Sequence, residues 1–331
     1  MTNYINEFKE GTHIETELLL NNVTKGVSNA GAPYLSLSLQ DKTGGIEAKK
    51  WDASENDVNA CQIGTVIKIT GDVIEYRGIL QIKVSTIEKV DQGKIDYTKF
   101  CIPSPIPQEE LIRKLNIYLN SIKNEDAYRI VKYIVDEHYD AFISYPAATK
   151  NHHEFASGLL YHTVSMCDIA EILTSYYDGV DRDILIAGII LHDIGKTIEL
   201  SGPIATKYTL EGKLIGHISI MVSEIRNTSE KLNIHSEVPI LLQHMILSHH
   251  GEKEFGSPVP PLTKEAFLLH VIDDLDAKMI MIDKALATVD NGEFTQRIMA
   301  LEERSINQKN KKRRSIPSFY LSNIKITKYY F

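Results

Sequence analysis

The chain has 331 residues, which is enough for two domains, and 43% of them are hydrophobic, which is enough for well-filled cores. Its net charge of −8 argues against a protein that coats duplex DNA through bulk electrostatics, and three widely spaced cysteines exclude a disulfide framework. No stretch approaches the roughly eighteen apolar residues of a membrane span, and the first residues lack the features of an export signal, so we expect a soluble, cytoplasmic protein without a membrane partner.

Residues 12–90 contain five short segments in which apolar and polar side chains alternate, as they do in half-buried β-strands. These segments are 14–23, 33–40, 45–51, 64–73 and 79–87. Residues 52–63, between the third and the fourth segment, are enough for one or two helical turns. This order is typical of an oligonucleotide-binding (OB) barrel, and we predict a five-stranded barrel at residues 1–90.

Three aromatic and two basic residues of this region are candidates for a nucleic-acid surface. If the outer face of the central strands is exposed, bases can stack on Tyr34, Trp51 and Tyr76. Lys49 and Arg77 can then lie near the phosphates. Each aromatic ring could equally pack in the core or at the rim, so the hypothesis depends on the five residues as a group.

Residues 91–108 carry three prolines, and proline-spaced segments make stiff, extended connections, so we predict a linker there. After it, apolar residues recur at the three- and four-residue spacing of helices. The helical segments are 109–123, 125–139, 158–177, 182–192, 217–232, 236–248, 264–289 and 293–305. Since strands and helices do not alternate, the pattern predicts a multi-domain α+β chain, with the barrel followed by an all-α domain at 109–304.

The remaining residues, 305–331, form a tail with no acidic side chain and a basic run at 309–314. Because the net charge of the whole chain is negative, any contact with nucleic acid has to be local. Two interpretations stay open for the tail: a solvated segment, or an arm that attracts phosphate.

The most informative motif is His192-Asp193, at the end of the apolar segment 184–191. An imidazole and a carboxylate at such a position can converge on one ion, and Gly195 is expected to release the turn that follows. Alone, the pair would more simply be a buried histidine with a carboxylate partner. Further histidines and an aspartate at the edges of other apolar stretches favour a metal site.

His162 lies among apolar residues, where an imidazole needs a partner, and Asp273 is the preferred ligand within the segment 270–278. Asp276 is one helical turn further on and could accept a hydrogen bond from a ligand histidine. Together with the His-Asp pair, these side chains form a nitrogen and oxygen ligand set. Such a set suits Mn²⁺, Fe²⁺, Co²⁺ or Zn²⁺ better than Ca²⁺, which prefers oxygen ligands.

This series of one histidine, a His-Asp pair and a remote aspartate resembles the pattern of the HD-domain metallohydrolases. In members with two ions, the resemblance implies further histidine ligands between the pair and the last aspartate. The candidates here are His217, His249 and His250, with Asp193 bridging the two ions. His217 could instead be a surface residue at a helix start, and the His249-His250 pair could also be structural. We treat the other histidines of this region as structural or supporting residues: His152, His153, His244 and His270.

Read together, the two halves of the chain resemble the YhaM-type 3′-to-5′ exoribonucleases. The resemblance covers residues 10–304 and is carried by the segments 37–44, 152–154, 158–163, 192–196 and 275–278. It implies hydrolysis of single-stranded RNA from the 3′ end to nucleoside monophosphates. It also implies one or two bound divalent ions, with Mn²⁺ as the first candidate. The tail departs from the family pattern, so nothing functional is carried over to it.

Within this resemblance, Asp193 and Lys196 are the candidate catalytic residues. A divalent ion lowers the pKa of bound water from about 15.7 towards 7, and Lys196 would stabilise charge on the phosphate. Lys196 could instead be a solvated lysine at a helix end, where it would complement the helix dipole.

Two other functions stay open at this point. The chain could be an HD-domain phosphohydrolase that acts on a small nucleotide or a cyclic dinucleotide, with the barrel in a regulatory role. It could also be a non-catalytic factor that binds single-stranded RNA or DNA. For the nuclease, single-stranded DNA is a second candidate substrate, and exposed apolar positions on the C-terminal helices suggest a homo-oligomer.

Overall fold

The computed structural model describes residues 4–28, 31–96, 99–147, 156–203 and 206–309. The chain divides into two compact units, residues 1–276 and 277–331. The first unit contains a β-barrel and a set of helices. His152, His153 and all but the first residue of the basic run lie outside the described residues, so what we expect of them stays a prediction.

Five strands form the barrel: β1 His13–Val27, β2 Pro33–Asp41, β3 Gly44–Trp51, β4 Val66–Tyr76 and β5 Ile79–Lys89. They close in the order β1-β2-β3-β5-β4. Strands β3 and β5 are parallel, and the other neighbouring strands are antiparallel. The predicted five-stranded barrel is therefore confirmed, with β1 extending four residues beyond its predicted end at residue 23.

Side-chain alternation along β2 shows why this sequence forms a barrel wall. Leu35, Leu37 and Leu39 are at most 1% exposed, whereas the serines between them are partly exposed. A shift of one residue would exchange the two faces, so burial of the leucines sets the register. Between β3 and β4 the chain forms α1 Glu55–Ala60, in the predicted place, and the Ser54 side chain caps this helix.

The segment after β5 packs against the barrel. Phe100 is 5% exposed and lies with Leu19 and Val66 in a small core cluster. Its carbonyl accepts a hydrogen bond from Gln40 Nε2 at 2.9 Å, and Gln92 Nε2 donates to Val66 O at 2.8 Å. The stretch that we expected to be a stiff, extended linker is thus attached to the barrel over its first part, because Phe100 needs an apolar contact. The domain bounds at residues 90 and 108 stay a prediction.

The helices that follow in the described chain are α2 Gln108–Ser121, α3 Glu125–Glu137, α4 Tyr139–Ser144, α5 Gly158–Thr174, α6 Arg182–Leu191, α7 Lys196–Glu199, α8 Leu210–Leu214, α9 Gly216–Lys231, α10 Val238–Ser248 and α11 Lys264–Leu286. The helices predicted up to residue 289 are all present. Helices α4, α7 and α8 are additional, because six, four and five residues are too few to show a helical period. No helix in the described ranges is both long and apolar enough to cross a membrane.

Helix α6 lies at the centre of the helical core. Its apolar side chains from Ile184 to Leu191 are at most 4% exposed, as expected of a helix without a polar face. Gly188 allows α10 to come close, because a Cβ atom there would lie 2.8 Å from the sulfur of Met245. Asp181 caps α6 by accepting from Ile184 N at 3.1 Å. This packing matters for the site, since the chain continues from both α6 and α10 into a histidine.

The second unit begins within α11, and its described residues form two isolated β-bridges, which pair Phe294 with Asn307 and Ile298 with Arg304. The prediction of a helix at residues 293–305 is therefore wrong. Glu302 and Glu303 have φ angles of 53° and 58°, in the left-handed region, which interrupts a right-handed helix. A short 3-10 turn, Met299–Leu301, forms in its place.

Candidate metal centre and nucleic-acid surface

Two histidines of the predicted centre directly follow buried helices. His192 follows α6 and His249 follows α10, and each ring donates from Nδ1 to a carbonyl three residues back, Ile189 O and Ile246 O, at 2.7 Å. These bonds fix both ring orientations and leave Nε2 as the atom with a lone pair. The two ring centroids are 5.4 Å apart. Because helix carboxyl ends carry partial negative charge, this position favours a cation.

His162 belongs to α5 and is held by two carboxylates of α11. Its Nδ1 lies 2.7 Å from Asp276 Oδ2, and its Nε2 lies 3.1 Å from Asp273 Oδ1. Ser165 Oγ donates to the other oxygen of Asp276 at 2.6 Å. Asp276 thus orients the imidazole from the side opposite Asp273, the supporting position that we expected from its helical spacing.

Asp193 lies between two sets of histidines. Its Oδ2 is 3.3 Å from His192 Nε2 and 4.0 Å from His162 Nε2. Its Oδ1 is 3.6 Å from His217 Nε2. Each carboxylate oxygen therefore faces a different set, which is the arrangement that a bridging carboxylate needs.

The ligand atoms fall into two groups, and within each group they lie within 4.8 Å of one another. The first group consists of His162, His192 and Asp193, and the second group consists of His217, His249 and His250. Asp273 adjoins the first group through its contact with His162. The ring of His250 is oriented by Phe255 O, which lies 2.7 Å from Nδ1. The structure thus brings the seven residues predicted as metal ligands together in two adjoining groups.

Four buried atoms of this centre have no hydrogen-bond partner within the described chain: His192 Nε2, His217 Nε2, His249 Nε2 and Asp193 Oδ1. A buried polar atom without a partner costs about 1–3 kcal/mol, so the cluster requires a compensating ligand. Imidazole nitrogens offer lone pairs and the carboxylate adds negative charge. The donor set therefore fits a divalent cation of the borderline type.

The protonation states of the centre also suit a cation. Burial keeps the pKa of His249 well below its usual value, so this ring is neutral. Burial alone would raise the pKa of Asp193, but Lys196 and His192 outweigh it and hold that pKa well below the usual range. The centre thus offers a neutral imidazole and an ionised carboxylate, which are the forms that bind metals.

His162 behaves differently, because two carboxylates touch it. Burial of the ring opposes protonation, but its hydrogen bonds to the carboxylates of Asp273 and Asp276 outweigh burial and raise the pKa of His162 to about 10. A divalent ion at Nε2 would compete with the proton for the same lone pair. Binding of that ion would accordingly release a proton.

Lys196 is the first residue of α7 and lies beside the first group. Its Nζ donates to Asp193 Oδ2 at 2.6 Å, and its side chain is 13% exposed. A solvated lysine at a helix end, the alternative left open by the sequence, does not fit this burial.

Position 195 requires glycine because a side chain would not fit there, and not because the backbone turns in a way that only glycine allows. Its φ of −55° and ψ of −21° are right-handed helical, so the expectation that it releases the turn is wrong. A Cβ atom at this position would overlap His217 O and lie 3.1 Å from His217 C. Glycine therefore lets the start of α7 contact the backbone of a candidate ligand.

The sequence analysis missed Glu199, the last residue of α7. Its Oε1 accepts from His217 N at 3.1 Å and lies 3.2 Å from His217 Nδ1. Burial would raise the pKa of Glu199, but His217 outweighs it and lowers that pKa. Two histidines that we treated as structural or supporting residues contact the backbone: His244 Nε2 accepts from Leu262 N at 2.9 Å, and His270 Nδ1 lies 2.9 Å from His249 O.

Tyr34, Lys49 and Trp51 form one cluster on the outside of β2 and β3. Tyr34 and Trp51 are cross-strand neighbours with ring centroids 5.0 Å apart. Lys49 Nζ lies 5.8 Å and 5.6 Å from the two centroids, and Trp51 is 41% exposed. Lys83 of β5 is in register with Lys49 and is exposed. Sequence analysis missed Lys83, because β3 and β5 are not consecutive strands.

Tyr76 and Arg77 form a second cluster at the turn from β4 to β5. Arg77 Cζ lies 5.3 Å from the Tyr76 ring centroid, and Tyr76 is 51% exposed. Exposure of Trp51 and Tyr76 excludes core packing for both rings. Exposed aromatic rings can stack on the bases of a single strand, and neighbouring cations can bind its phosphates.

Two family models match this chain. The HD domain matches residues 159–278, and the OB-fold nucleic acid binding domain matches residues 21–90. The second OB-fold domain of replication protein A from Methanococcus maripaludis is 21% identical, covers 28% of this chain and 96% of that chain, and has a TM-score of 0.24. A domain of the same protein in a crystal structure is 25% identical, covers 27% of this chain and 98% of that chain, and has a TM-score of 0.24.

A much longer match exists to 3′-5′ exoribonuclease YhaM from Geobacillus sp. (strain WCH70), which is 49% identical over 306 residues. The match covers 92% of this chain and 94% of that relative, so it includes both the barrel and the HD domain. The chain therefore belongs to the YhaM family of 3′-5′ exoribonucleases.

Proposed function

We propose that this chain is a metal-dependent exoribonuclease that shortens single-stranded RNA from its 3′ end and releases nucleoside monophosphates. The related Geobacillus protein carries the name of that activity. The observation that carries the proposal is the cluster of four buried side-chain atoms that have no hydrogen-bond partner among the described residues. These imidazole nitrogens and this carboxylate oxygen suit a divalent cation, and phosphodiester hydrolases use such cations.

We assign the metal ligands as two sets that share Asp193. The first group together with Asp273 would hold one ion, and the second group would hold another. The mixed set of imidazoles and carboxylates favours Mn²⁺, with Co²⁺, Fe²⁺ and Zn²⁺ as alternatives. Such ions lower the pKa of a bound water to about 7 and neutralise charge on phosphate.

We assign the catalytic roles to Asp193 and Lys196. Asp193 is ionised at neutral pH, so each of its oxygens can serve one group. Burial opposes the charge of Lys196, but Asp193 outweighs it and raises the pKa of the ammonium group. Lys196 therefore stays protonated beside the first group, where its charge can attract a phosphate oxygen.

The barrel would hold the strand that the HD domain trims. Bases would stack on Tyr34, Trp51 and Tyr76, with stacking worth about 1–3 kcal/mol per base. Lys49 and Arg77, and also Lys83 of the same surface, would attract the phosphates. Because stacking does not depend on the 2′-hydroxyl, single-stranded DNA is a second substrate in this proposal.

Helix α11 carries an exposed apolar row, which supports a homo-oligomer. Phe267, Val271 and Leu275 are 56%, 39% and 45% exposed, and their four-residue spacing places them on one helix face. We place the protein in the cytoplasm, and its free cysteines support this location because thiols stay reduced there.

The test incubates the purified protein with Mn²⁺ and a 5′-labelled single-stranded RNA, with single-stranded DNA in a parallel reaction. We expect a ladder of products that shorten from the 3′ end and release of nucleoside monophosphates. Turnover of small nucleotides without RNA cleavage would overturn the proposal in favour of a small-nucleotide phosphohydrolase. RNA binding without any cleavage would overturn it in favour of a non-catalytic factor.

Two variants make this test specific to the centre. Asp193→Ala should abolish hydrolysis while the protein still folds and binds RNA. The matched control is Asp136→Ala on α3. The Asp136 side chain is 56% exposed and pairs with Lys132, away from the candidate ligands. This control should keep full activity, and equal activity of both variants would remove Asp193 from the mechanism.

A further inference from the structure

We propose that Glu199 is a positioning residue that holds His217 in the orientation needed by the ion of the second group. The inference rests on the proposed function, since it concerns the same centre. It adds a residue outside both ligand groups, and it explains how a ligand at the start of a helix is held in place.

The contact between Glu199 and His217 is double and largely shielded from solvent. One oxygen, Oε1, accepts from His217 N at 3.1 Å and lies 3.2 Å from His217 Nδ1. The side chains of Glu199 and His217 are 11% and 13% exposed, so water competes weakly for these bonds. A carboxylate at Nδ1 makes this nitrogen the donor, and Nε2 then keeps its lone pair for an ion.

Glu199 also caps the helix that carries His217. Helix α9 begins at Gly216, and its N-cap residue, Ile215, makes no side-chain hydrogen bond to the helix. The carboxylate of Glu199 accepts from the backbone N–H of His217 in its place. It therefore satisfies a free N–H group and places negative charge at the positive end of the helix dipole.

The partners of the other ligand histidines show what Glu199 contributes. His192, His249 and His250 each bond through Nδ1 to a neutral backbone carbonyl close in the chain. In contrast, His162 bonds to the carboxylate of Asp276 and His217 bonds to that of Glu199. Hydrogen bonds to a charged acceptor are the stronger kind. Each group thus contains one histidine that is held by a carboxylate from a distant part of the chain.

Glycine contacts hold the backbones of both Glu199 and His217 in place. A Cβ atom at Gly212 of α8 would overlap Glu199 O and lie 2.7 Å from Glu199 Cα. On the other side, Gly195 contacts the backbone of His217. Thr209 N donates to Glu199 O at 2.9 Å. Because these contacts involve backbone atoms, Glu199 and His217 have little freedom to move apart.

The test measures Mn²⁺ binding to the metal-free protein by calorimetry. Glu199→Ala removes both hydrogen bonds, and Glu199→Gln keeps an acceptor oxygen but removes the charge. We expect one ion to bind as in the unchanged protein and the other to bind about 10–100-fold more weakly in Glu199→Ala, with a smaller effect in Glu199→Gln. The control is Glu230→Gln on α9, the helix that carries His217; the Glu230 side chain is 62% exposed, and this variant should bind both ions normally.

Thermal unfolding of the metal-free variants checks that they are folded. If Glu199→Ala does not fold, Glu199→Gln decides the question, because it preserves the size of the side chain. A folded variant that binds both ions with unchanged affinity overturns the proposal. Rates on RNA should show a lower kcat with an unchanged KM, because the barrel surface is untouched, and a change confined to KM also overturns it.

The failure of this inference differs from a failure of the proposed function. If the unchanged protein binds two Mn²⁺ ions but does not cleave RNA, the proposed function is wrong, and the calorimetric comparison still tests Glu199. If the protein cleaves RNA and Glu199→Ala binds both ions normally, the positioning role alone is wrong.

Discussion

Replacing Gly195 by alanine tests how strongly the metal centre depends on backbone packing. The added methyl group would overlap His217 O and lie 3.1 Å and 3.2 Å from His217 C and Cα. All three are backbone atoms, so no change of side-chain rotamer relieves the contact. Helices α7 and α9 would have to separate, and His217 would move away from Asp193.

Two opposing contributions determine how much Gly195→Ala changes the free energy of unfolding. Overpacking in a well-packed interior costs about 1–3 kcal/mol, whereas alanine in a right-handed helical conformation is favoured over glycine by up to about 1 kcal/mol. We therefore expect the free energy of unfolding to fall by about 1–2 kcal/mol. A displacement of roughly 1 Å at a catalytic centre lowers the rate by about 10²-fold, so activity should fall far more than stability.

The assay compares urea unfolding of the metal-free protein with RNA hydrolysis in the presence of Mn²⁺. The matched control is Gly45→Ala in β3, where a Cβ atom would have Leu39 O as its neighbour at 3.6 Å, an ordinary contact. This control should leave both quantities unchanged. A Gly195→Ala protein with the unfolding midpoint and the hydrolysis rate of the unchanged protein would refute the reasoning.

Four further predictions concern the barrel and the centre. Trp51→Ala should weaken binding of single-stranded RNA by about 1–3 kcal/mol in fluorescence anisotropy, and unchanged binding would show that this ring does not stack on a base. Asp41→Ala should lower the free energy of unfolding by about 2–3 kcal/mol, because the carboxylate accepts bonds from Thr43 N, Thr43 Oγ1 and Ile5 N; an unchanged urea midpoint would contradict this. Burial, aided by Asp57, raises the pKa of the Cys61 thiol to about 11, so at pH 8 its peptide should react with a disulfide reagent slowly in the folded protein and quickly after unfolding. Rapid labelling of folded protein, followed by mass spectrometry, would be the contrary result. Mn²⁺ at 100 times its Kd should stabilise the fold by about 2.7 kcal/mol, which a chelator removes, and an unfolding temperature insensitive to both would argue against a folded metal site.

The parts of the fold that the sequence predicted are those with a long, regular pattern. Alternation in β2 and helical spacing in α6 each extend over enough residues to identify the element. The segment at 293–305 has helical spacing too, but Glu302 and Glu303 adopt left-handed conformations there. Spacing alone does not reveal a backbone conformation of that kind, because it depends on contacts within the second unit.

In the candidate site, too, the sequence predicted the residues that belong to a regular pattern and missed those that depend on tertiary contacts. His192 and Asp193 are recognisable because they end an apolar helix, and Asp276 because it lies one turn after Asp273. Glu199 was missed, since it ends the four-residue helix α7 and meets His217 18 residues further on, across a stretch with the short helix α8 and no periodic pattern. The role of Gly195 was misread for a related reason, as the group that excludes a side chain there is the backbone of His217.

The most direct test of the account is anomalous X-ray diffraction from crystals of this protein grown with Mn²⁺. The account predicts two anomalous peaks that share Asp193, one bound by His162, His192 and Asp273 and the other by His217, His249 and His250. Crystals that contain Mn²⁺ but show no peak among these side chains would contradict it.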